Sequence, residues 1–205
     1  MERFTIRANN YLEQNIQAYY HQDYTTFGTP GNPDFLNHLK NQFGNTNTDL
    51  LQISMNELGV VLLNDLQEIK NIYRNTTLTV CVVPRAKNEN YYSQNQRYFR
   101  AVVSFVVNRI KGYIDGTTYI LRHTNTITTH MNRSGYGGDG DLPYPGITIN
   151  TCNISNNIVD RNILLIDDIY TSGVNIDEDA IQALLDNGAR NVYFYAVGKT
   201  FRGGW

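Results

Sequence analysis

Residues 162–175 read NILLIDDIYTSGVN: four apolar residues, Ile163 to Ile166, run directly into Asp167 and Asp168 and then into Ile169-Tyr170-Thr171-Ser172-Gly173-Val174-Asn175. A continuous branched apolar run bounded by polar residues predicts a strand of a parallel sheet covered on both faces. Open α/β sheets bind ligands at the carboxyl ends of their strands, so the two carboxylates fall at a ligand-binding edge. Gly173 admits backbone conformations barred to other residues. The hydroxyls of Thr171 and Ser172 and the amides up to Asn175 can therefore converge on one concavity suited to a phosphate. Behind it Ile176, Ala180, Ile181, Leu184 and Leu185 repeat at helical spacing as far as Asn187-Gly188. The concavity thus opens the amino end of a helix, whose dipole and unpaired amides favour an anion.

Two carboxylates beside a phosphate cup repel the phosphate if they face it, so they serve another part of the ligand. Carboxylates accept hydrogen bonds from sugar hydroxyls, and a vicinal diol near a terminal phosphate describes a ribose 5-phosphate. At this point ILLIDDIYTSG resembles the signature of the type I phosphoribosyltransferases and is most similar to ComF-type members. Asn175 stands where the family often has Thr, keeping a polar side chain and the amide. Thr171 stands where purine-salvage members carry Asp, which speaks against a hypoxanthine or guanine acceptor. The alternative from the residues alone is a buried strand with an incidental acidic turn.

The resemblance implies a fold and an activity. The fold is α/β: a parallel-sheet phosphoribosyltransferase-like core flanked by helices over residues 77–200, with a mainly helical, hood-like region over residues 1–76. The activity is transfer of ribose 5-phosphate from phosphoribosyl pyrophosphate to a nitrogen acceptor, with release of pyrophosphate and with Mg2+ as the cofactor. Asp167 and Asp168 become the catalytic pair and the metal-facing carboxylates, and Ile169 to Asn175 the 5-phosphate loop. A non-catalytic protein that binds phosphoribosyl pyrophosphate, as a regulator or an accessory factor in DNA uptake or defence, is the second reading.

Upstream, Leu78 to Val83 is a second buried-type strand and ends in Pro84-Arg85-Ala86-Lys87. The resemblance implies a pyrophosphate loop there, and the chemistry agrees: Arg grips phosphate through two N–H groups and Lys acts as a point charge. Taken alone, the same four residues read as a solvated turn. A helix follows over 94–111, with Phe99, Val102, Val103, Val106 and Ile110 on one face, then a strand over 118–121. Strand, helix, strand predicts a right-handed parallel crossover. From Arg122 to Gly146 no periodicity survives, and the resemblance implies a mobile loop closing over the reaction centre. Arg122, His130 and Arg133 are its candidate contacts, with solvated loop residues as the alternative. Ile147 to Asn150 and Val192 to Val197 are the remaining candidate strands.

The first third predicts three helices. Residues 8–20 place Tyr11, Leu12, Ile16 and Tyr19 at helical spacing, residues 34–43 form a second helix, and the Ser54-Met-Asn-Glu57 capping box opens a third.

The chain has 205 residues, enough for one domain with a sizeable core. Its net charge is −2, but residues 85–133 carry eight Lys or Arg against two Asp or Glu, so the middle is the basic part and a seat for a polyphosphate. The overall acidity argues against a nonspecific nucleic-acid binder. No apolar run approaches a membrane span, and the amino terminus lacks a signal-peptide core, so a soluble cytoplasmic protein is expected. Cys81 and Cys152 are isolated and read as buried reduced thiols. A homodimer is left open.

Overall fold

The computed structural model describes residues 1–126, 146–148 and 150–201. Its centre is a six-stranded mixed sheet made of β1 (Glu2–Ile6), β2 (Ile16–Tyr24), β3 (Leu78–Val82), β4 (Tyr113–Asp115), β7 (Asn162–Tyr170) and β8 (Asn191–Thr200). Across the sheet the strands run in the order β1-β2-β8-β7-β3-β4. All neighbours pair in parallel except β1, which lies antiparallel on β2 at one edge. A separate antiparallel pair joins β5 (Ile120–Arg122) to β6 (Cys152–Ile154).

Each face of the sheet carries its own core, as the period-two alternation of a strand requires. Ile163 and Leu165 of β7 pack with Ala180, Ile181 and Leu184 of helix α4 (Ile176–Asp186). Leu164 and Ile166 point the other way, into a cluster built by α1 (Phe35–Lys40), α2 (Thr48–Ile72) and α3 (Tyr98–Val107). Leu58, Leu62, Leu66 and Ile69 of α2 are fully buried there, each contributing about 2 kcal/mol of apolar burial. Asp65, 3% exposed, ties α2 to the sheet by accepting from Tyr195 Oη at 2.7 Å and lying 2.9 Å from His21 Nδ1.

The order of the strands fixes where a ligand can enter. From β3 the chain passes through α3 to β4 at one edge, whereas from β7 it passes through α4 to β8 on the other side. β3 and β7 are adjacent, and their following helices cover opposite faces, so a crevice opens between their carboxyl ends. β3 pairs with β7 only as far as Val82 opposite Ile166, while β7 continues to Tyr170 against β8 alone. Asp167 and Asp168 are the first residues of β7 without a β3 neighbour.

Several expectations are corrected. Residues 8–20 are not a helix: a tight turn closes with Asn9 N–H donating to Leu12 O at 2.8 Å, and Ile16 to Tyr24 then join the sheet beside β8. Ile16, Tyr19, Tyr20 and Tyr24 suit a pleated surface, and the ladder with β8 outweighs the helical spacing. The region 1–76 therefore supplies two strands to the sheet as well as α1 and α2. Ser54 does not open a helix. α2 begins at Thr48, where Asn47 Oδ1 accepts from Asp49 N–H at 2.8 Å, and Ser54 is buried within it, 3.2 Å from His38 Nδ1. The strand that follows α3 and pairs in parallel with β3 is β4, and the strand expected at 118–121 is β5 of the small sheet, at Ile120–Arg122. The strand expected at 147–150 lies instead at β6; Ile149 is outside the described residues. No helix among the described residues is long and apolar enough to cross a membrane.

Candidate functional site

Alternation along β7 sends its two aspartates to opposite faces. Asp167 continues the Ile163 and Leu165 side and meets α4; Asp168 continues the Leu164 and Ile166 side and meets α1. Their partners differ in charge. Asp168 Oδ2 lies 3.1 Å from Lys40 Nζ, with both side chains about three-quarters buried (20% and 26% exposed). Asp167 is paired instead with Asp177, one residue into α4.

An acid facing an acid holds a proton. Burial first, then the charge of Asp168, pushes the Asp167 carboxyl up to about 7. Asp177, 4% exposed, is raised well above the ordinary carboxylate range by burial and by Asp167. Its Oδ1 is buried without a hydrogen-bond partner. Burial and mutual repulsion therefore favour one proton shared between Asp167 and Asp177. Lys40 stays charged despite its burial, because Asp168 and Asp167 favour the ammonium.

The loop after β7 is a tight glycine turn. Val174 N–H donates to Thr171 O at 3.2 Å, closing a turn in which Gly173 has φ +81°. Asn175 follows at φ +66°, and its side chain accepts from Asn9 Nδ2 at 3.1 Å rather than capping α4. The space around the Gly173 α-carbon is open, and Ser172 and Gly173 are exposed. Three acids occupy the first turn of α4, each turned toward a protein partner. Asp177 meets Asp167, Glu178 accepts from Tyr170 Oη at 3.0 Å, and Asp179 accepts from Ile147 N–H at 2.8 Å. Thr171 Oγ1 reaches Thr200 Oγ1 at 2.6 Å, joining the loop to the end of β8.

Across the crevice stands the loop after β3. Arg85 donates from Nη1 to Gln96 O at 2.7 Å and stacks 4.3 Å above the Tyr92 ring, so its guanidinium is held in place. Arg85 and Ala86 line a cavity of about 720 Å3 together with Lys40, Asp167, Asp168 and Thr171. Lys87 is buried and does not line it; its backbone N–H donates to Tyr92 Oη at 3.0 Å. Arg122 is also buried, in β5, where its Nε donates to Arg85 O at 2.7 Å and its Nη1 to Gly146 O at 3.3 Å. Its place is behind the Arg85 loop, as a support. His130 and Arg133 lie outside the described residues.

A magnesium ion suits this donor set. Hard carboxylate oxygens from Asp167 and Asp168 face one cavity, and magnesium commonly takes one or two protein carboxylates and completes its shell with water and substrate phosphate. Among the described residues no group of three His, Cys, Asp or Glu side chains could hold a metal ion.

Lys40 and Asp177 escaped the sequence reading. The helix carrying Lys40 was predicted, but nothing in its own stretch marks the acid it meets. For Asp177 a signal existed: the parity of β7 already sends Asp167 toward α4. No protein-family model and no curated protein sequence matches the chain.

Proposed function

We propose that this protein is a magnesium-dependent phosphoribosyltransferase of the type I class, which transfers ribose 5-phosphate from phosphoribosyl pyrophosphate to a nitrogen nucleophile. The observation that carries the reading is that the acid pair, the start of the glycine turn and a fixed arginine all open on one cavity at the switch point of the sheet. Asp168 and Asp167 accept hydrogen bonds from the ribose hydroxyls, and the turn from Thr171 to Asn175 holds the 5-phosphate. Arg85 faces the diphosphate. The nitrogen forms a bond to C1 as the bond from C1 to the diphosphate oxygen breaks, the electron pair leaves with pyrophosphate, and the nitrogen loses its proton to water. Positioning and charge neutralisation are the main work of such a site. Asp167 and Asp168 would hold a magnesium ion, which would supply neutralisation of the leaving group's charge. The donor is an intracellular metabolite, so the reading carries a cytoplasmic location with it.

Phosphoribosyl pyrophosphate titrated with Mg2+ into the wild-type protein tests the reading: calorimetric binding that Asp167→Asn combined with Asp168→Asn abolishes supports it, and no binding to wild type sinks it. A second reading, a regulator that binds the same ligand without turning it over, is favoured by the internal partners that both acids already have. Pyrophosphate release with a panel of bases, amides and ammonia separates the two.

A further inference from the structure

Lys40 is the last residue of α1, and its ammonium stands where ribose hydroxyls must bind if the phosphoribosyl reading is right, since it already occupies Asp168. Arg85 lines the same cavity and opposes the Lys40 charge, but Arg85 is fastened by Gln96 O and the Tyr92 ring. Lys40 is therefore a cation held in a mostly buried site by an acid that the ligand needs. Hydroxyls arriving at Asp168 displace the ammonium, and a displaced ammonium there is penalised unless an anion replaces its partner. A ligand with hydroxyls alone leaves Lys40 unpaired; one with an anion alone leaves Asp168 unpaired. A ligand carrying both groups, side by side, satisfies both charges.

We infer that Lys40 is a specificity-determining residue, which makes the site select a ribose 5-phosphate bearing a diphosphate on C1 over the same sugar phosphate without it. The inference deepens the proposed function and rests on it. When the hydroxyls take Asp168, the Lys40 ammonium turns to the diphosphate. After pyrophosphate departs, the ammonium returns to Asp168 and helps to expel a sugar monophosphate.

The test is calorimetry on the full chain with two probes, phosphoribosyl pyrophosphate and ribose 5-phosphate, each with Mg2+. Wild type is expected to prefer the diphosphorylated sugar, and Lys40→Gln to cut that preference by about tenfold or more, because the charge that pairs with the diphosphate is lost. The loss comes from weaker binding of the diphosphorylated probe, with ribose 5-phosphate unchanged or tighter. Lys40→Arg, which keeps the charge, retains most of the preference. Lys40→Met, which keeps the stem packed, replaces Lys40→Gln if thermal melting shows that variant unfolded. Equal weakening of both probes indicates a merely structural residue and overturns the inference, as does an unchanged preference. Equal binding of both probes by wild type overturns the inference alone; binding of neither removes the phosphoribosyl reading as well.

Discussion

Lys40 Nζ and Asp168 Oδ2 lie 3.1 Å apart, an ion pair that joins the end of α1 to the carboxyl edge of β7. One residue earlier on the same strand, Asp167 meets the carboxyl of Asp177 instead. Two adjacent aspartates thus live in opposite electrostatic settings, one beside a cation and the other sharing a proton. The cause is geometric: a strand turns successive side chains to opposite faces, and different helices cover those faces.

Removing one aspartate at a time should therefore give two different results. Asp168→Asn strips Lys40 of its partner and removes a charged acceptor, so the affinity for phosphoribosyl pyrophosphate should fall roughly a hundredfold and the fold should lose about 1 kcal/mol. Asp167→Asn keeps a hydrogen-bond acceptor for the Asp177 proton, so its stability should hold or rise. Calorimetry and thermal melting on the two single variants check both outcomes. Equal destabilisation by the two would contradict the split environment.

The shared proton sets a pH dependence. Asp167 moves from an ordinary value of 3.8 to about 7 in the folded protein, and burial with the charge of Asp167 raises Asp177 too. The folded state thus binds more protons than the unfolded chain between those limits, so this pair contributes stability at low pH that is lost as pH rises through about 7. The melting temperature of the ligand-free protein should fall from pH 5.5 to pH 8. Asp177→Asn should flatten that slope and raise the melting temperature at pH 8. A slope left intact in this variant would place the titration elsewhere.

How far the sequence could be read depended on whether the deciding contact was local. β7 announced itself because a strand covered on both faces needs a continuous apolar run, and Ile163 to Ile166 provide one. α4 was legible from its stripe, and Gly173 from the turn around it. β2 was misread because Tyr11, Leu12, Ile16 and Tyr19 fit a helix as well as a strand. What decided it was the slot beside β8, almost the whole chain away. β4 is only three residues long and carries little pattern of its own. The Lys40 contact follows the same logic, since α1 could be predicted and its docking over Asp168 could not.

Gly173 gives a test of the cradle that leaves the core alone. Its φ of +81° suits glycine, while the space where a side chain would project is open, so Gly173→Ala meets a backbone penalty and no clash. Such a substitution should cost about 1 kcal/mol of stability or less, because the turn is exposed and can relax. On the proposed function, affinity for ribose 5-phosphate should fall more than that stability loss predicts, since the relaxed turn no longer holds its geometry. Affinity for inorganic pyrophosphate, held across the crevice by Arg85, should change by less than about threefold, within the scatter of a surface substitution. Competition binding with the two probes separates the halves of the site.

Arg122 offers the complementary test on the other wall. It is 2% exposed and lines no part of the cavity, yet its Nε donates to Arg85 O at 2.7 Å. Through that bond it fixes the backbone from which the Arg85 guanidinium projects. Arg122→Met keeps the volume of the stem and removes the donors, leaving Arg85 O without this buried partner while Gly146 O keeps its bond from Thr151 Oγ1. A loss of about 1–3 kcal/mol in stability is expected from the Arg85 carbonyl left without this donor and from the broken buried network. Pyrophosphate affinity should drop with it, because Arg85 loses its fixed position, while ribose 5-phosphate binding at the far wall should be largely spared. Pyrophosphate binding that survives Arg122→Met unchanged would mean that the Arg85 side chain is held by Gln96 and Tyr92 alone.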